Sequence, residues 1–583
     1  MKAEKLIEAL GDVLPKFNRA RRTAQLAQIS IVRLTALIDP KNLRAYHDLL
    51  LFLTAYPDDV AVQRLVTGEL RRLAGIVKKS TGRRGLATRL VDSGIAHTDV
   101  VHGFTLDITR WLTRRAPRHV EFDWEDGSLG EALDEFLHQL VPTVERDGLY
   151  ADHLSTQEWF ALARGGAGKS DVSWLVDQFE RLGGPASLRD HAFDSLHLAV
   201  RWKLRYQELT RTFVRFPARP LFSQREPILR QVDLRTLAGH RLQSAKPTSR
   251  RIAEKTLDAC RTTLCVRHRE IDTLTWVNPS EVALFQLERG IDVAVFGMSP
   301  ERRLPIESYF GFVVARNRVP IGYGGGWVFF ERCEIGVNIF DEFRGAESAY
   351  AFAQVIRVYH QYFRTTRFLV DPFQFGAGNR EAITSGAFWF YYRLGFRPID
   401  AKLRQLADYE AALLAENPRY RTPAVTLRKL ARAKLEIDLS EDDPSGLPVL
   451  DLTQLGLALT GWIGRRFRGD RARAERQCSA DVMRMLRIAA RSQWTADKLA
   501  AFRRMSLLVA PLDAIRNWSL VKRTKLSRVL RAKGGLRERD YALGLQRLPE
   551  LRDALLRFSE SGRSPPPVKR RRRSGSGSRK PAG

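Results

Sequence analysis

A mixed α/β core set between helix-rich flanks is the fold class this sequence predicts, and three observations carry it. The spacing of apolar residues changes from helical to strand-like near residue 281 and back to helical after Asp341. The strand-like segments are rich in Val, Phe and Ile and are separated by short turns containing Gly or Asn, as a meander of strands requires. The chain of 583 residues is several times the usual domain length, enough for about three folded units with cores of their own.

Residues 1–215 show apolar residues at helical spacing, interrupted by Asp39-Pro40, Tyr56-Pro57 and Gly183-Gly184-Pro185. Within them, AYHDLLLFLTAYPDDVAVQRLVTGELRRLA (45–74) predicts a helical hairpin around a Pro turn. EVALFQLE (281–288) and IDVAVFGM (291–298) predict a β-hairpin about Arg289-Gly290, and SYFGFVVAR (308–316) and VPIGYGGGWVFF (319–330) predict a second about Asn317-Arg318. In RCEIGVNIF (332–340), Cys333, Ile335, Val337 and Ile339 alternate with Glu334, Gly336 and Asn338, which places Glu334 and Asn338 on one face of a strand. Ala349, Phe352, Ala353, Ile356, Tyr359 and Phe363 form a single helical stripe. RFLVDPFQF (367–375) reads as a short buried strand, and REAITSGAFWFYYRL (380–394) as one apolar helix closed by Gly395. Helical spacing returns over 401–560, broken by the acidic loop 440–448, and the Pro-, Ser- and Arg-rich stretch 561–583 has almost nothing to bury.

Composition narrows the function classes. The N-terminal helix carries Glu4, Glu8 and Asp12 where a secretory leader needs an unbroken apolar run, and no stretch reaches the length of a membrane span. Four cysteines (Cys260, Cys265, Cys333, Cys478) form neither a disulfide framework nor a repeated metal-ligand pair. The histidines His97, His102, His197, His268 and His360 show no ligand spacing, so no metal is expected. These features predict a cytoplasmic protein with no membrane partner. GGAGKS (165–170) lacks the first glycine of a phosphate loop, which falls on Ala163, and follows a helical pattern instead of a strand.

Two motifs between 308 and 398 resemble the GNAT superfamily of acyl-CoA N-acyltransferases. In the first, GVNIFDEFRGAESAYAFAQ (336–354), a strand feeds a loop of the family's R/Q-x-x-G-x-G/A kind and then a helix. A helix N-terminus offers unpaired N–H groups to an anion, and the resemblance implies that Phe343, Arg344, Gly345, Ala346, Ser348 and Ala349 hold the pyrophosphate of acetyl-CoA or another acyl-CoA. With Arg344 and Gly345 as the family's Arg-Gly, the later glycine positions fall on Glu347 and Ala349; Glu347 is the serious departure, since a carboxylate there repels such an anion unless it turns away. In the second, GAGNREAITSGAFWFYYRLGFRP (376–398), an Asn precedes a helix ending in Tyr-x-x-Leu-Gly-Phe. The resemblance implies that Asn379 lies by the cofactor and that Tyr391, or alternatively Tyr392, protonates the departing thiolate. Glu334 is the candidate general base.

The resulting expectation is an α/β (α+β) chain with a GNAT-like core and a mixed sheet at 216–400. An all-α N-terminal region (1–215), a helical basic C-terminal region (401–560) and a basic tail (561–583) flank it. Residues 451–583 hold 32 Lys/Arg against 11 Asp/Glu, so +21 of the formal +30 lies there. Such a region suits nucleic acid or an acidic partner, and KRRRR (569–573) adds a flexible polycation. Two functions follow. One is acyl transfer from CoA to an amine of a small molecule, protein or peptide by direct attack on a thioester between splayed strands. The other is a non-catalytic scaffold that binds nucleic acid or an acidic partner through its C-terminal region.

Overall fold

The computed structural model describes residues 39–561, except 81, 83, 127, 152, 166–167, 230, 244–248, 441–449 and 489–493, together with Lys5, Glu8 and Ile29. The expectations for the first helix, most of the acidic loop 440–448 and the tail 561–583 beyond its first residue fall outside these residues. The chain divides into two compact units, Met1–Glu441 with Leu536–Ala542, and Asp442–Gly535 with Leu543–Gly583.

The first unit opens with the expected helical hairpin, α1 (Pro40–Ala55) and α2 (Val60–Lys79). Asp39 caps α1 at the amide of Asn42 with Pro40 in the first turn, and Asp59 caps α2 at the amide of Val62. The N-terminal region is not all-α, however. Strands β1 (Asp99–His102), β2 (Val120–Phe122) and β3 (Val200–Lys203) form an antiparallel sheet with β3 central. Each strand is three or four residues long, too short to interrupt the helical spacing around it visibly. This sheet backs a separate apolar core that includes Trp111, Phe160, Phe179 and Trp202.

The main sheet has eight strands: β4 (Val277–Gln286), β5 (Ile291–Met298), β6 (Ser308–Arg316), β7 (Val319–Phe329), β8 (Arg332–Ile339), β9 (Arg367–Val370), β10 (Arg397–Pro398) and β11 (Leu435–Asp438). Their spatial order is β10-β11-β9-β8-β7-β6-β5-β4. Neighbours are antiparallel except β8 and β9, which run parallel, so the sheet is mixed as expected. β11 lies within the region expected to be helical from 401. It pairs with β9 over four residues, so the sheet draws on sequence beyond residue 400. The β6–β7 turn places Asn317 and Arg318 at φ 44° and 71°, which suits a tight hairpin. The Asn317 amide fixes the turn by donating to the carbonyls of Ala55 and Phe222.

The glycines of β7 are demanded by close packing. A Cβ at Gly324 would stand 2.1 Å from the Gly336 carbonyl oxygen, and one at Gly326 would stand 2.5 Å from the ring of Tyr359. Tyr359 belongs to α4 (Ser348–Phe363), which follows α3 (Arg250–Cys265). The stripe of α4 is buried from Phe352 to Phe363, as its spacing requires, while Ala349 at its start is half-buried. The helix expected over 380–394 is two helices, α5 (Arg380–Ser385) and α6 (Ala387–Arg393). Gly386, at φ 66°, adopts the left-handed conformation and breaks it.

The second unit is built of helices, among them Leu452–Phe467, Arg471–Met485, Ala496–Val509 and Leu520–Ala532. Asp451, Asp470, Thr495 and Ser519 cap them. Among the described residues, no helix is long and apolar enough to cross a membrane, and the four cysteines are buried and unpaired.

Candidate functional site

The residues singled out in the two motifs gather around the β8–β9 pair. β9 pairs with β8 only at Arg332, Cys333 and Glu334. It ends at Val370, and the chain then turns through Pro372–Phe375, so Ile335–Ile339 continues without it. At this parting, a Cβ at Gly336 would come within 3.0 Å of the Gln374 side chain. Two parallel strands are thus paired at one end and separate at the other.

α4 begins just beyond β8. Its first residues lack a side-chain cap, because Glu347 stands at the N-cap position without capping. The Glu347 side chain is 0 % exposed and points away from the helix end. It contacts the Arg316 guanidinium and accepts from Arg289 Nη2 at 2.6 Å and from the Leu229 amide at 3.1 Å. Burial pushes its carboxyl up, but Arg316 and Arg289 outweigh this and hold it below the ordinary carboxylate range. The carboxylate that stood against an anion at this loop is therefore turned inward and neutralised. Arg316 is also 0 % exposed, lies 4.2 Å from the Tyr56 ring centroid and donates to Gln224.

With Glu347 withdrawn, the loop is open. Gly345 sits at φ 79°, and a Cβ added there would meet nothing within 4 Å. Ser348 Oγ is shielded from solvent without a hydrogen-bond partner among the described residues. An uncapped end of a helix of 16 residues combines orphan N–H groups with the positive end of the helix dipole. Arg344 lies beside it, half exposed, bridging to Glu381 Oε1 at 2.6 Å and Asp341 Oδ1 at 3.0 Å. The bridge to Glu381 ties this loop to the first turn of α5. Phe343 is buried beneath the loop, whereas Ala346 and Ala349 are half-buried along it.

Asn379 caps α5. Its Oδ1 accepts from the Ala382 amide at 3.0 Å and its Nδ2 donates to the Phe373 carbonyl at 3.1 Å. Both ends of the amide are engaged, so Asn379 positions α5 against the turn after β9.

Tyr391 and Tyr392 separate clearly. Tyr391 is 3 % exposed, boxed by Phe352, Phe375, Phe390 and Phe396 at ring-centroid distances of 5.1–6.2 Å. Its hydroxyl makes no hydrogen bond among the described residues, and burial raises its pKa. Phe352 belongs to α4 and Phe375 to the turn after β9, so the ring spans the two elements that follow the parted strands. Tyr392 instead donates to Asp408 Oδ1 at 2.7 Å and lies 3.8 Å from the Arg397 guanidinium.

Glu334 leaves β8 on the face opposite Cys333, whose sulfur lies on the α4 side near Gly326. It is ion-paired with Lys434. In register with Glu334 stands Trp327, and Tyr309 stacks on Trp327 at 4.4 Å. Gly325 makes room for that ring, since a Cβ there would meet it at 2.5 Å.

The partners of Glu347 were not legible in advance, because Arg316 and Arg289 lie 31 and 58 positions away. The available signal was an arginine ending a strand as apolar as SYFGFVVAR, where burial without a counter-charge is costly. Among the described residues, no group of three or more His, Cys, Asp or Glu could hold a metal. Comparison with known protein families, with curated proteins and with solved structures found no match for this chain.

Proposed function

We propose that this chain is an acyl-CoA-dependent N-acyltransferase with a GNAT-like core, moving an acyl group, acetyl in the simplest case, to an amine. The observation that carries the proposal is the open N-terminus of α4 beside strands that part. A pyrophosphate takes the orphan N–H groups, with Gly345 permitting close approach. The pantetheine arm then lies between β8 and β9, where the freed edge of β8 offers backbone partners. The amine attacks the thioester carbonyl directly, and the carbonyl oxygen carries the developing charge until the thiolate leaves. Tyr391 supplies the proton to sulfur, its hydroxyl having no hydrogen bond to give up among the described residues. Glu334, ion-paired with Lys434, takes the amine's proton on the other face of β8.

Calorimetric comparison of wild type with R344E tests the anion site. Exposed ion pairs such as Arg344 with Asp341 and Glu381 are worth about 0–1 kcal/mol, so an arriving pyrophosphate can exchange them at little cost. R344E places a third carboxylate at the loop, and acetyl-CoA affinity falls at least tenfold. An unchanged dissociation constant removes the pyrophosphate from this loop.

A second reading is favoured by the second unit. Arg465, Arg466, Arg468, Arg471, Arg473 and Arg476 are exposed, and none is ion-paired with a carboxylate among the described residues. This is a surface for a polyanion, recognised by charge without base readout. Removal of 561–583 lowers the slope of log affinity for duplex DNA against log salt by several units, at about 0.9 per phosphate contact. No retention of the full chain on heparin at low salt excludes this reading.

A further inference from the structure

A cavity of about 360 Å³ opens elsewhere in the first unit, framed by α1, α2, the chain at 207–221 and the β6–β7 turn. Four arginines line it, Arg71, Arg215, Arg219 and Arg318, and no Asp or Glu does. Their circumstances differ. Arg219 is consumed by the fold, donating to Asp292 Oδ1 at 2.7 Å and to the carbonyls of Ile291 and Leu287 at 2.6 and 2.9 Å. The other three have no carboxylate partner among the described residues. Arg215 donates to its neighbour's carbonyl, Val214, at 2.8 Å, and Arg318 donates through Nε to the Phe216 carbonyl at 2.8 Å. Arg71 is exposed on α2.

Carbonyl contacts satisfy single N–H groups but bring no negative charge, and the carboxylate whose field reaches Arg318 is Asp292, which Arg219 already engages. Burial, and then the like charge of Arg318, push Arg215 down to about 10. Two buried arginines elsewhere in this unit meet carboxylates instead, Arg316 with Glu347 and Arg211 with Glu342. A cluster of guanidinium forks around an empty volume is the arrangement that receives a multivalent oxyanion, because each fork can donate two parallel hydrogen bonds to its oxygens.

We infer that this cavity binds a diphosphate group, free or as the end of a larger molecule, through Arg71, Arg215 and Arg318. The group carries enough negative charge and enough oxygens to engage three forks at once, and the volume admits it with room for an attached moiety. The site is distinct in residues from the α4 terminus and does not depend on the acyltransferase reading.

The test is calorimetric titration of the full chain at low salt with inorganic pyrophosphate and, separately, with ADP. Saturable one-to-one binding is expected, weakened at least tenfold in R71E and in R215A. R71E carries the test if R215A fails to fold, since Arg71 is exposed and its replacement leaves the thermal midpoint unchanged. R344E, at the α4 terminus, retains pyrophosphate binding at this cavity. Tighter binding of ADP assigns the diphosphate to a nucleotide-like ligand, and equal or weaker binding assigns it to the free anion. The inference is overturned if neither compound gives saturable heat, if R71E and R215A both bind as wild type, or if R344E alone abolishes binding.

Discussion

Replacing Tyr391 by Phe is expected to lower acyl transfer by about 10² to 10⁴ in turnover, the usual worth of a general acid, while leaving stability and acyl-CoA affinity almost unchanged. The ring is fixed by four aromatic neighbours that Phe retains. The hydroxyl has no hydrogen bond to lose among the described residues, so its removal carries little structural cost. Tyr392→Phe is the control. It breaks the bond to Asp408 and costs about 0.5–1.5 kcal/mol in thermal or denaturant unfolding, with turnover retained. If the two variants show equal turnover on an identified acceptor, Tyr391 is not the acid.

The second large effect is expected at Glu347. E347Q retains the shape of the side chain but leaves Arg316 and Arg289 without their shared counter-charge. Breaking a buried pair in this way costs about 3–5 kcal/mol, read as a fall in unfolding free energy in denaturant. Arg289 keeps Glu226 at 3.1 Å, so Arg316 is the charge left stranded, and replacing it by Met in the same chain recovers much of the loss. The pH dependence has a defined sign. The folded-state carboxyl is held below its ordinary value, so its contribution is fully present above the unfolded pKa of about 4.3. That contribution disappears as pH falls through the folded value. The difference between wild type and E347Q therefore narrows in acid, and a constant gap down to about pH 3 contradicts the assignment.

The strand meander was legible because each strand declares itself locally. Alternation in β8 and the Asn317-Arg318 turn need only neighbouring residues to be read, and the helix α4 follows from one apolar stripe. Strands of three or four residues such as β1, β2 and β11 carry too little alternation, and β11 joins the sheet only through pairing with β9, 65 or more positions earlier in the chain. Gly386 shows the same limit from the other side, since a glycine inside a helical pattern fixes a break only when packing selects its left-handed conformation. At the site, residue types were legible and directions were not. Glu347 reads as an obstacle in sequence, and its inward turn depends on Arg316 at the end of β6. Asn379 reads as a ligand donor, yet capping of α5 and the Phe373 carbonyl engage its amide.

Acyl transfer as proposed depends on an acyl-CoA being received at the open end of α4, where β8 parts from β9. Calorimetric titration of the full chain with acetyl-CoA and a longer acyl-CoA tests it most directly. Saturable binding of one cofactor per chain is expected, lost in R344E and retained in Y391F. Absence of saturable heat with either thioester, in protein shown to be folded by its unfolding transition, contradicts it.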